Sequence, residues 1–321
     1  MNLQVEGSFL VKGSSAYSGK RVLLTGADGF IGKHLSAGLR EQGARVGHVV
    51  RKSASPENSV ESFIGDICDQ DFLPGVIDSW QPQIIFHLAA SKVRAQTPDA
   101  FRETLNVNLM GTLGLLMASS RSKSLTNIVL LGTGEEYGKN PTPFKEGSRE
   151  APVSAYSLSK LSATHLAQMM ARSGLPVCVL RPSVAYGPGQ QEDMFIPALI
   201  RTLLRGEKFP MTKGAQTRDF LFIADLVQAL LLAGVATNVA GEVINIGSGD
   251  EVCIAKLVDS IEELTGAHGH ALRGSLDYRQ GEAMHYQLDI SKARHILGWK
   301  PEIALAEGLA RTVQWYRERQ V

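Results

Sequence analysis

The chain has 321 residues, of which 44% are hydrophobic, enough to bury one large domain or two modest ones. Its 33 basic and 32 acidic residues give a net charge of +1, which argues against a general binder of nucleic acid or of a membrane surface. The longest apolar runs, such as residues 226–236, are too short to span a bilayer. We therefore expect a globular protein with neither nucleic acid nor a membrane as a partner.

The N-terminal stretch and the cysteines indicate where the protein works. Residues 1–19 are rich in Gly and Ser and predict a poorly ordered leader, without the basic region and apolar segment of a signal peptide. The cysteines are far apart and odd in number, which predicts free thiols in a reducing cytoplasm; they are Cys68, Cys178 and Cys253. The histidines show no metal-ligand spacing, and His87 is expected to be a satisfied core or rim residue. We predict no metal site.

From Arg21 to about residue 182, apolar runs alternate with segments of helical periodicity. Strands are predicted at 21–26, 44–50, around 63–64, and at 83–90, 127–132 and 176–182. Helices are predicted at about 29–43, 99–120 and 154–172. Because buried parallel strands alternate with covering helices in this way, we predict an α/β fold with a doubly wound parallel sheet of the Rossmann type.

After residue 183 the alternation is looser. Helical patterns occur at 194–205, 225–236, 252–265 and 303–318, and short strand patterns at 219–223 and 242–246. We predict a Rossmann domain from residues 20–183 and 219–248, and a smaller α/β substrate lobe from residues 184–218 and 249–321.

A glycine-rich turn, TGADGFIG, lies between the first predicted strand and helix, with glycines at Gly26, Gly29 and Gly32. Glycine permits the tight turn and lets the backbone approach a pyrophosphate, which then lies at the helix N-terminus. The spacing is GxxGxxG rather than GxGxxG. In this strand–turn–helix context the turn predicts a dinucleotide site.

The end of the second predicted strand indicates which dinucleotide binds. Enzymes that use NAD usually have Asp or Glu there to hold the ribose hydroxyls. This strand ends instead with Arg51 and Lys52, two cations that suit a 2′-phosphate. The pattern therefore predicts NADP, with NAD as the alternative.

A second motif, YSLSK, lies on the helix predicted from Ser154. Tyr156 and Lys160 are four residues apart, so their side chains share one face of the helix. A neighbouring ammonium stabilises a phenolate, so Lys160 is expected to lower the pKa of Tyr156 and make it usable for proton transfer.

Together these motifs resemble the extended short-chain dehydrogenase/reductases, and specifically the NAD-dependent epimerase/dehydratase family that acts on nucleotide sugars. Further stretches carry the resemblance from residue 21 to about 318: GDI, FHLAA, NVNLMGT, GTGEEYG, RPSVAYGPG, TRDFLFIADLV, NIGSG, YRQGE and DISKARHILGWKP. One departure is Val184, where many relatives carry Asn.

The resemblance implies roles for individual residues. Tyr156 would be the acid/base at the sugar C4 oxygen, Thr133 would bind the same oxygen, and Lys160 would hold the nicotinamide ribose. The cofactor would also contact the turn and the two following strand ends through Asp28, Phe30, Ile31, Asp66, Ile67, Leu88, Ala89 and Ala90. On the substrate side, Asn108 would support the active-site helix, and Arg218 and Arg279 would meet the diphosphate or nucleotide. A salt bridge between Arg218 and Asp219 is the alternative for that arginine.

The reaction depends on the stretch LGTGEEYG. Dehydratases of the family usually carry Asp or Ser and then Glu after the threonine, whereas this chain has Gly134 and Glu135. The pattern is most similar to reductases of nucleotide-linked 4-keto-6-deoxyhexoses, such as those acting on GDP-4-keto-6-deoxymannose. We therefore predict an NADPH-dependent 4-ketoreductase in which Glu135 faces the C5–C6 side or a sugar hydroxyl and Glu136 is structural. A 4-epimerase or 4,6-dehydratase is the alternative, and a non-catalytic cofactor-binding regulator is a remote one. The family also implies a homodimer through the helices near 99–120 and 154–172.

Overall fold

The computed structural model describes residues 16–52, 60–279 and 282–319. The β-strands are β1 Arg21–Thr25, β2 Arg45–Val50, β3 Glu61–Ile64, β4 Ile84–His87, β5 Asn127–Leu131, β6 Val177–Pro182, β7 Val184–Tyr186, β8 Phe209–Met211, β9 Thr217–Arg218, β10 Phe220–Phe222, β11 Val243–Ile246, β12 Val252–Cys253 and β13 Ala271–Arg273. The α-helices are α1 Phe30–Glu41, α2 Phe72–Trp80, α3 Pro98–Thr104, α4 Gly111–Ser119, α5 Ala155–Arg172, α6 Phe195–Leu204, α7 Ile223–Val235, α8 Ile254–Thr265, α9 Ser291–Leu297 and α10 Leu305–Glu318.

Seven parallel strands form the central sheet, in the order β11-β6-β5-β4-β1-β2-β3. Strands such as β4 and β6 are buried along their whole length, since helices cover both faces. The chain enters at β1 and moves outward in one direction before it returns to β4 on the other side of β1. This reversal leaves a crevice beyond the carboxyl ends of β1 and β4. The Rossmann fold predicted from the sequence is confirmed.

Two hydrophobic clusters lie on the two faces of the sheet. One contains Leu35 of α1 and Leu230 of α7, and the other contains Val76 of α2, Leu115 of α4 and Ala167 of α5. The fold therefore has three layers, with helices packed on each face of the sheet. In the described part of the chain, no helix is long and apolar enough to cross a bilayer.

The remaining strands form three two-stranded sheets: β7 with β10, β9 with β12, and β8 with β13. All strands of the central sheet lie within residues 20–183 and 219–248. The division into a Rossmann domain and a substrate lobe stays a prediction.

The structure differs from the sequence-based expectation in several places, of which three bear on the fold. Tyr17, within the predicted leader, is fully buried and donates a hydrogen bond to the Leu231 carbonyl at 2.6 Å; residues 1–15 of that leader lie outside the described residues. The helix predicted at 99–120 contains a π-helical turn at Leu105–Met110 between α3 and α4. Helix α2 was missed, since Pro74 and Gly75 weaken its helical signal.

Candidate active site

A cavity of about 850 Å³ lies beyond the carboxyl ends of β1, β2, β4 and β5. Most of the residues predicted for the site line it: Gly26, Asp28, Gly29, Phe30, Ile31, Gly32, Arg51, Asp66, Ile67, Leu88, Ala89, Ala90, Thr133, Glu135, Tyr156, Lys160, Arg218 and Arg279. Two predicted residues, Lys52 and Asn108, are not part of the lining. Parts of the sequence that are far apart thus meet around one cavity.

The glycine turn between β1 and α1 is packed too tightly for side chains. Gly26 has a φ of +72°, and a Cβ there would lie 2.6 Å from the Ala89 nitrogen. A Cβ on Gly32 would lie 2.2 Å from the Gly26 oxygen. The first turn of α1, with its unpaired backbone N–H groups, therefore borders the cavity closely enough to fit a pyrophosphate.

Two charged residues, Arg51 and Asp66, also line the cavity. Arg51 follows β2, and Asp66 follows β3, where its carboxylate accepts the backbone N–H of Cys68 at 2.9 Å. Of the two cations predicted to meet a 2′-phosphate, Arg51 lines the cavity and Lys52 does not. The expected selectivity for NADP therefore depends on Arg51.

Helix α5 begins at Ser154 with a reciprocal cap. The Ser154 hydroxyl accepts the N–H of Ser157 at 3.1 Å, and the Ser157 hydroxyl accepts the N–H of Ser154 at 3.0 Å. This cap fixes the first turn, which carries Tyr156, and the next turn carries Lys160. Both side chains are buried and face the cavity, as the four-residue spacing predicts.

Tyr156 and Lys160 have shifted proton affinities. Burial raises the pKa of Tyr156 above its ordinary value, Glu135 raises it further, and Arg94 opposes the rise. Burial lowers the pKa of Lys160 to about 8, against the opposing effect of Glu136. The lowering of the Tyr156 pKa by Lys160 stays a prediction. Arg94, which sequence reasoning missed, and the Thr133 hydroxyl both act to lower this pKa.

Arg94 lies in the loop after β4 and binds Glu135 in the turn after β5. Its Nε lies 3.1 Å from Glu135 Oε2, and its Nη2 lies 2.6 Å from Oε1. The guanidinium carbon is 4.7 Å from the centre of the Tyr156 ring. Glu135 is therefore an ion-paired carboxylate in this structure rather than a free base.

Thr133 and Glu136 shape the turn itself. The Thr133 hydroxyl accepts the N–H of Glu135 at 3.2 Å, and the Thr133 N–H donates to the Glu136 carboxylate at 2.9 Å. Glu136 is fully buried and also accepts hydrogen bonds from Thr164 at 2.9 Å and from Arg181 Nε at 2.8 Å. This placement fits the structural role predicted for Glu136.

Asn108 lies behind the cavity. Its side-chain oxygen accepts the N–H of Ser91 at 2.8 Å, and its amide donates to the Ser159 hydroxyl at 2.8 Å. Since the side chain is buried, it joins the loop after β4 to α5 and does not contact a ligand in the cavity directly. Asn108 thus fits the role of supporting the active-site helix better than that of a substrate contact.

Tyr286, which sequence reasoning also missed, lines the cavity. A Cβ on Gly134 would lie 2.1 Å from the Tyr286 hydroxyl oxygen, so position 134 accepts no side chain in this arrangement. Val184, where many relatives carry Asn, lines the cavity nearby as an apolar side chain. The only sequence signal for Tyr286 is its place just before the DISKAR motif.

The two arginines predicted for the substrate lie at the far end of the cavity. Arg218 pairs with Glu282 and donates to the Ala283 carbonyl at 2.8 Å. The alternative of an Arg218–Asp219 salt bridge is wrong, because Asp219 is buried and accepts hydrogen bonds from Ser248 and Leu288. Arg218 remains at the cavity surface, where a phosphate could replace Glu282 as its partner.

His87 and the cysteines lie outside this chemistry. His87 is buried between the hydroxyls of Thr25, at 2.7 Å, and Thr112, at 3.1 Å. The cysteines are free thiols; Cys178 is buried, whereas Cys68 and Cys253 are half-buried. In the described ranges, no His, Cys, Asp and Glu side chains gather in threes or more to hold a metal ion.

The sheet order, the glycine turn and the Tyr156–Lys160 pair define a dinucleotide-dependent oxidoreductase of the Rossmann type. The sequence model of the NAD dependent epimerase/dehydratase family matches residues 22–247, and the chain belongs to that family. The resemblance seen in the motifs is thereby confirmed at the level of the family, and the chain is an enzyme rather than a non-catalytic regulator.

Similar proteins catalyse different reactions. The dTDP-glucose 4,6-dehydratase of Streptomyces niveus is 33% identical, over 94% of this chain and 94% of its own. MoeE5, solved with UDP-glucuronic acid and NAD, is 34% identical with a TM-score of 0.84, and the match covers 93% of this chain and 99% of MoeE5. The UDP-glucose 4-epimerase of Thermotoga maritima, solved with UDP-glucose, is 30% identical with a TM-score of 0.87, over 94% of this chain and 100% of the epimerase.

Proposed function

We propose that the chain is a nucleotide-sugar 4-epimerase, which oxidises the C4 hydroxyl of a nucleotide-linked hexose and then reduces C4 with the opposite configuration. The observation that carries this proposal is that Thr133, Tyr156 and Lys160 line the same cavity as the glycine turn and the arginines Arg218 and Arg279. The relatives solved with UDP-glucose and UDP-glucuronic acid support the class of substrate.

Tyr156, Thr133 and Lys160 have separate roles in the reaction at C4. Tyr156, as the phenolate, takes the proton of the C4 hydroxyl and returns it after reduction. The Thr133 hydroxyl already accepts the N–H of Glu135, so its own proton is available to orient the sugar oxygen. A nicotinamide cofactor bound beside Tyr156 would supply the hydride chemistry at C4. Lys160 lies one turn beyond Tyr156 on α5, and we propose that it holds the nicotinamide ribose.

A 4,6-dehydratase is the second candidate, because Glu135 is retained and the dehydratase of Streptomyces niveus matches the chain almost throughout. Elimination needs a base at C5 and an acid at C6. Here Glu135 is ion-paired with Arg94, and Tyr286 fills the space for a side chain at position 134. These contacts favour epimerisation, which needs no acid/base pair at C5 and C6.

The 4-ketoreductase predicted from GTGEEYG has less support. Two of the similar proteins reported above are named for dehydration and epimerisation, reactions that begin with C4 oxidation. They support the alternative reactions better than a reductase that consumes NADPH in each turnover.

For the cofactor, NAD has the broader support. The family is described as NAD dependent, and MoeE5 was solved with NAD. Selectivity for NADP stays a prediction that depends on Arg51, which lines the cavity beside a strand end without an acidic residue.

The product's mass tests the proposal directly. Purified enzyme with added NAD, and in parallel with NADP, would be given UDP-glucose, UDP-glucuronic acid, dTDP-glucose or GDP-mannose without reductant. We expect a product of unchanged mass with inverted C4 by NMR. Loss of one water would identify the dehydratase instead. A ketoreductase would leave all four unchanged but would oxidise NADPH when given a 4-keto-6-deoxy sugar nucleotide.

Tyr156→Phe is the matched variant, since it removes only the phenolic oxygen. Turnover is expected to fall by about 10²–10⁴-fold, the usual contribution of a general acid/base. Normal turnover in this variant would contradict the role of Tyr156.

A further inference from the structure

Arg94, Glu135 and Tyr156 form a cluster that no sequence motif of the site brings together. The Arg94 guanidinium makes a two-point contact with the Glu135 carboxylate, at 3.1 and 2.6 Å, and its carbon lies 4.7 Å from the centre of the Tyr156 ring. We propose that Arg94 is a positioning residue that keeps Glu135 out of proton transfer and sets the charge balance under which Tyr156 exchanges its proton.

The cluster exists because β4 and β5 are neighbours in the sheet. The loop after β4 carries Arg94, and the turn after β5 carries Glu135, so their side chains meet in front of α5. The two side chains are 45% and 34% exposed, and the pair therefore contributes little to folding. Its position against the Tyr156 ring gives it a larger effect on the reaction than on stability.

Several other groups face Tyr156 and have to be considered. Glu136 acts on it from the turn after β5, but the charge of Glu136 is already balanced by Arg181. Lys160 lies on α5 itself, and Tyr286 approaches from the segment before α9. Thr133 is neutral and offers a hydrogen bond. Among these groups, the Arg94–Glu135 pair is the one whose two charges act on Tyr156 in opposite directions.

The consequence follows from the signs of the two charges. Glu135 alone would make the phenolate harder to form, and Arg94 alone would make it easier. Because the two charges are in contact, they largely cancel at Tyr156. Removal of Arg94 should move the acidic limb of the pH profile of C4 oxidation to higher pH. Removal of Glu135 should move this limb to lower pH. At a pH below the pKa of Tyr156, each unit by which this pKa rises lowers the rate about tenfold.

The inference rests on the proposed role of Tyr156, so its test includes a readout that needs no turnover. Arg94→Gln, Glu135→Gln and the double variant would be compared by the pH profile of kcat. In parallel, a fluorotyrosine incorporated at position 156 would report its own ionisation by ¹⁹F NMR. We expect opposite shifts in the single variants, a return towards wild type in the double variant, and partial rescue by Arg94→Lys.

Arg205→Gln is the matched control. Arg205 makes the same two-point contact with Glu207, at 3.1 and 3.0 Å, but outside the cavity, so its loss should shift neither readout. A ¹⁹F titration that stays at the wild-type pH in both single variants would overturn the proposal, and Glu135→Gln tests it even where Arg94→Gln fails to fold. If the titration shifts as expected while no sugar nucleotide reacts, Arg94 keeps this role and the proposed function is wrong.

Discussion

The hydroxyl of Tyr286 occupies the space that a side chain at position 134 would need. A Cβ on Gly134 would lie 2.1 Å from this oxygen and 2.9 Å from the ring carbon that bears it. The glycine in GTGEEYG is therefore a packing requirement of this chain, and it couples the turn after β5 to the segment before α9.

Gly134→Ser is expected to destabilise the fold by about 1–3 kcal/mol, the usual cost of overpacking, and to lower kcat because Thr133 and Glu135 shift. Urea unfolding and steady-state kinetics measure the two effects. Gly147→Ser is the matched control, since a Cβ there meets nothing within 4 Å. Equal stability of the two variants would show that Tyr286 moves aside freely.

A second prediction concerns the stability contributed by the buried pair of Glu136 and Arg181. Glu136→Gln removes the charge that balances Arg181 Nε at 2.8 Å, and Arg181 then keeps only Glu150 at 2.8 Å. We expect a loss of about 3–5 kcal/mol in the free energy of unfolding, because the arginine stays buried with its charge incompletely compensated.

A surface pair provides the comparison. Glu307 pairs with Arg311 across one helical turn, with both side chains at least 40% exposed. Glu307→Gln should change the unfolding free energy by at most about 0.5 kcal/mol. Similar losses in the two variants would mean that burial does not decide the effect of these charges.

The features that the sequence predicted are those that depend on a local pattern of residues. Apolar runs predicted the strands of the central sheet, and glycine spacing and the Tyr156–Lys160 interval placed two parts of the site. The pattern did not predict contacts that depend on strand order. Arg94 and Glu135 are 41 residues apart, and Arg218 and Glu282 are 64 apart, so each pair meets only in the folded chain.

His87 makes the stability depend on pH. Burial, and to a lesser extent Lys160, lowers the pKa of His87 to about 3 from its ordinary 6.5. Between these values the unfolded chain binds a proton that the folded chain does not, so stability is lost as the pH falls from about 6.5 towards 3. The contribution is about 1.4 kcal/mol for each pH unit.

His87→Gln should flatten this dependence, measured as the unfolding free energy at several pH values between 4 and 7. Burial also lowers the pKa of His48, to about 4, so His48 contributes its own pH dependence to the stability. The effect of His87 is therefore the difference between the slopes of wild type and variant. His268→Gln, at an exposed position, should leave the slope as it is. An unchanged slope in the His87 variant would show that folding does not lower the pKa of His87.

The homodimer stays a prediction, and exposed methionines mark the helices expected to form it. Met110 and Met117 are seven residues apart at the π-helical turn and α4, and Met169 lies on α5; each is about half exposed. We expect a dimer by light scattering, and the double variant Met117→Glu, Met169→Glu should be monomeric. Leu276→Glu, at an equally exposed site after β13, is the control that should remain dimeric.

The last prediction concerns Arg51 and the choice between the two dinucleotides. If its guanidinium contacts a 2′-phosphate, Arg51→Ala should weaken binding of NADP by about 10–100-fold, the worth of one charged hydrogen bond, and leave binding of NAD nearly unchanged. Lys52→Ala is the matched control, because Lys52 follows Arg51 but does not line the cavity. Calorimetric titration of each variant with both nucleotides measures the ratio. Equal affinities for NAD in wild type and variant, with no measurable affinity for NADP in either, would show that the basic end of β2 is only a solvated turn and that the enzyme uses NAD.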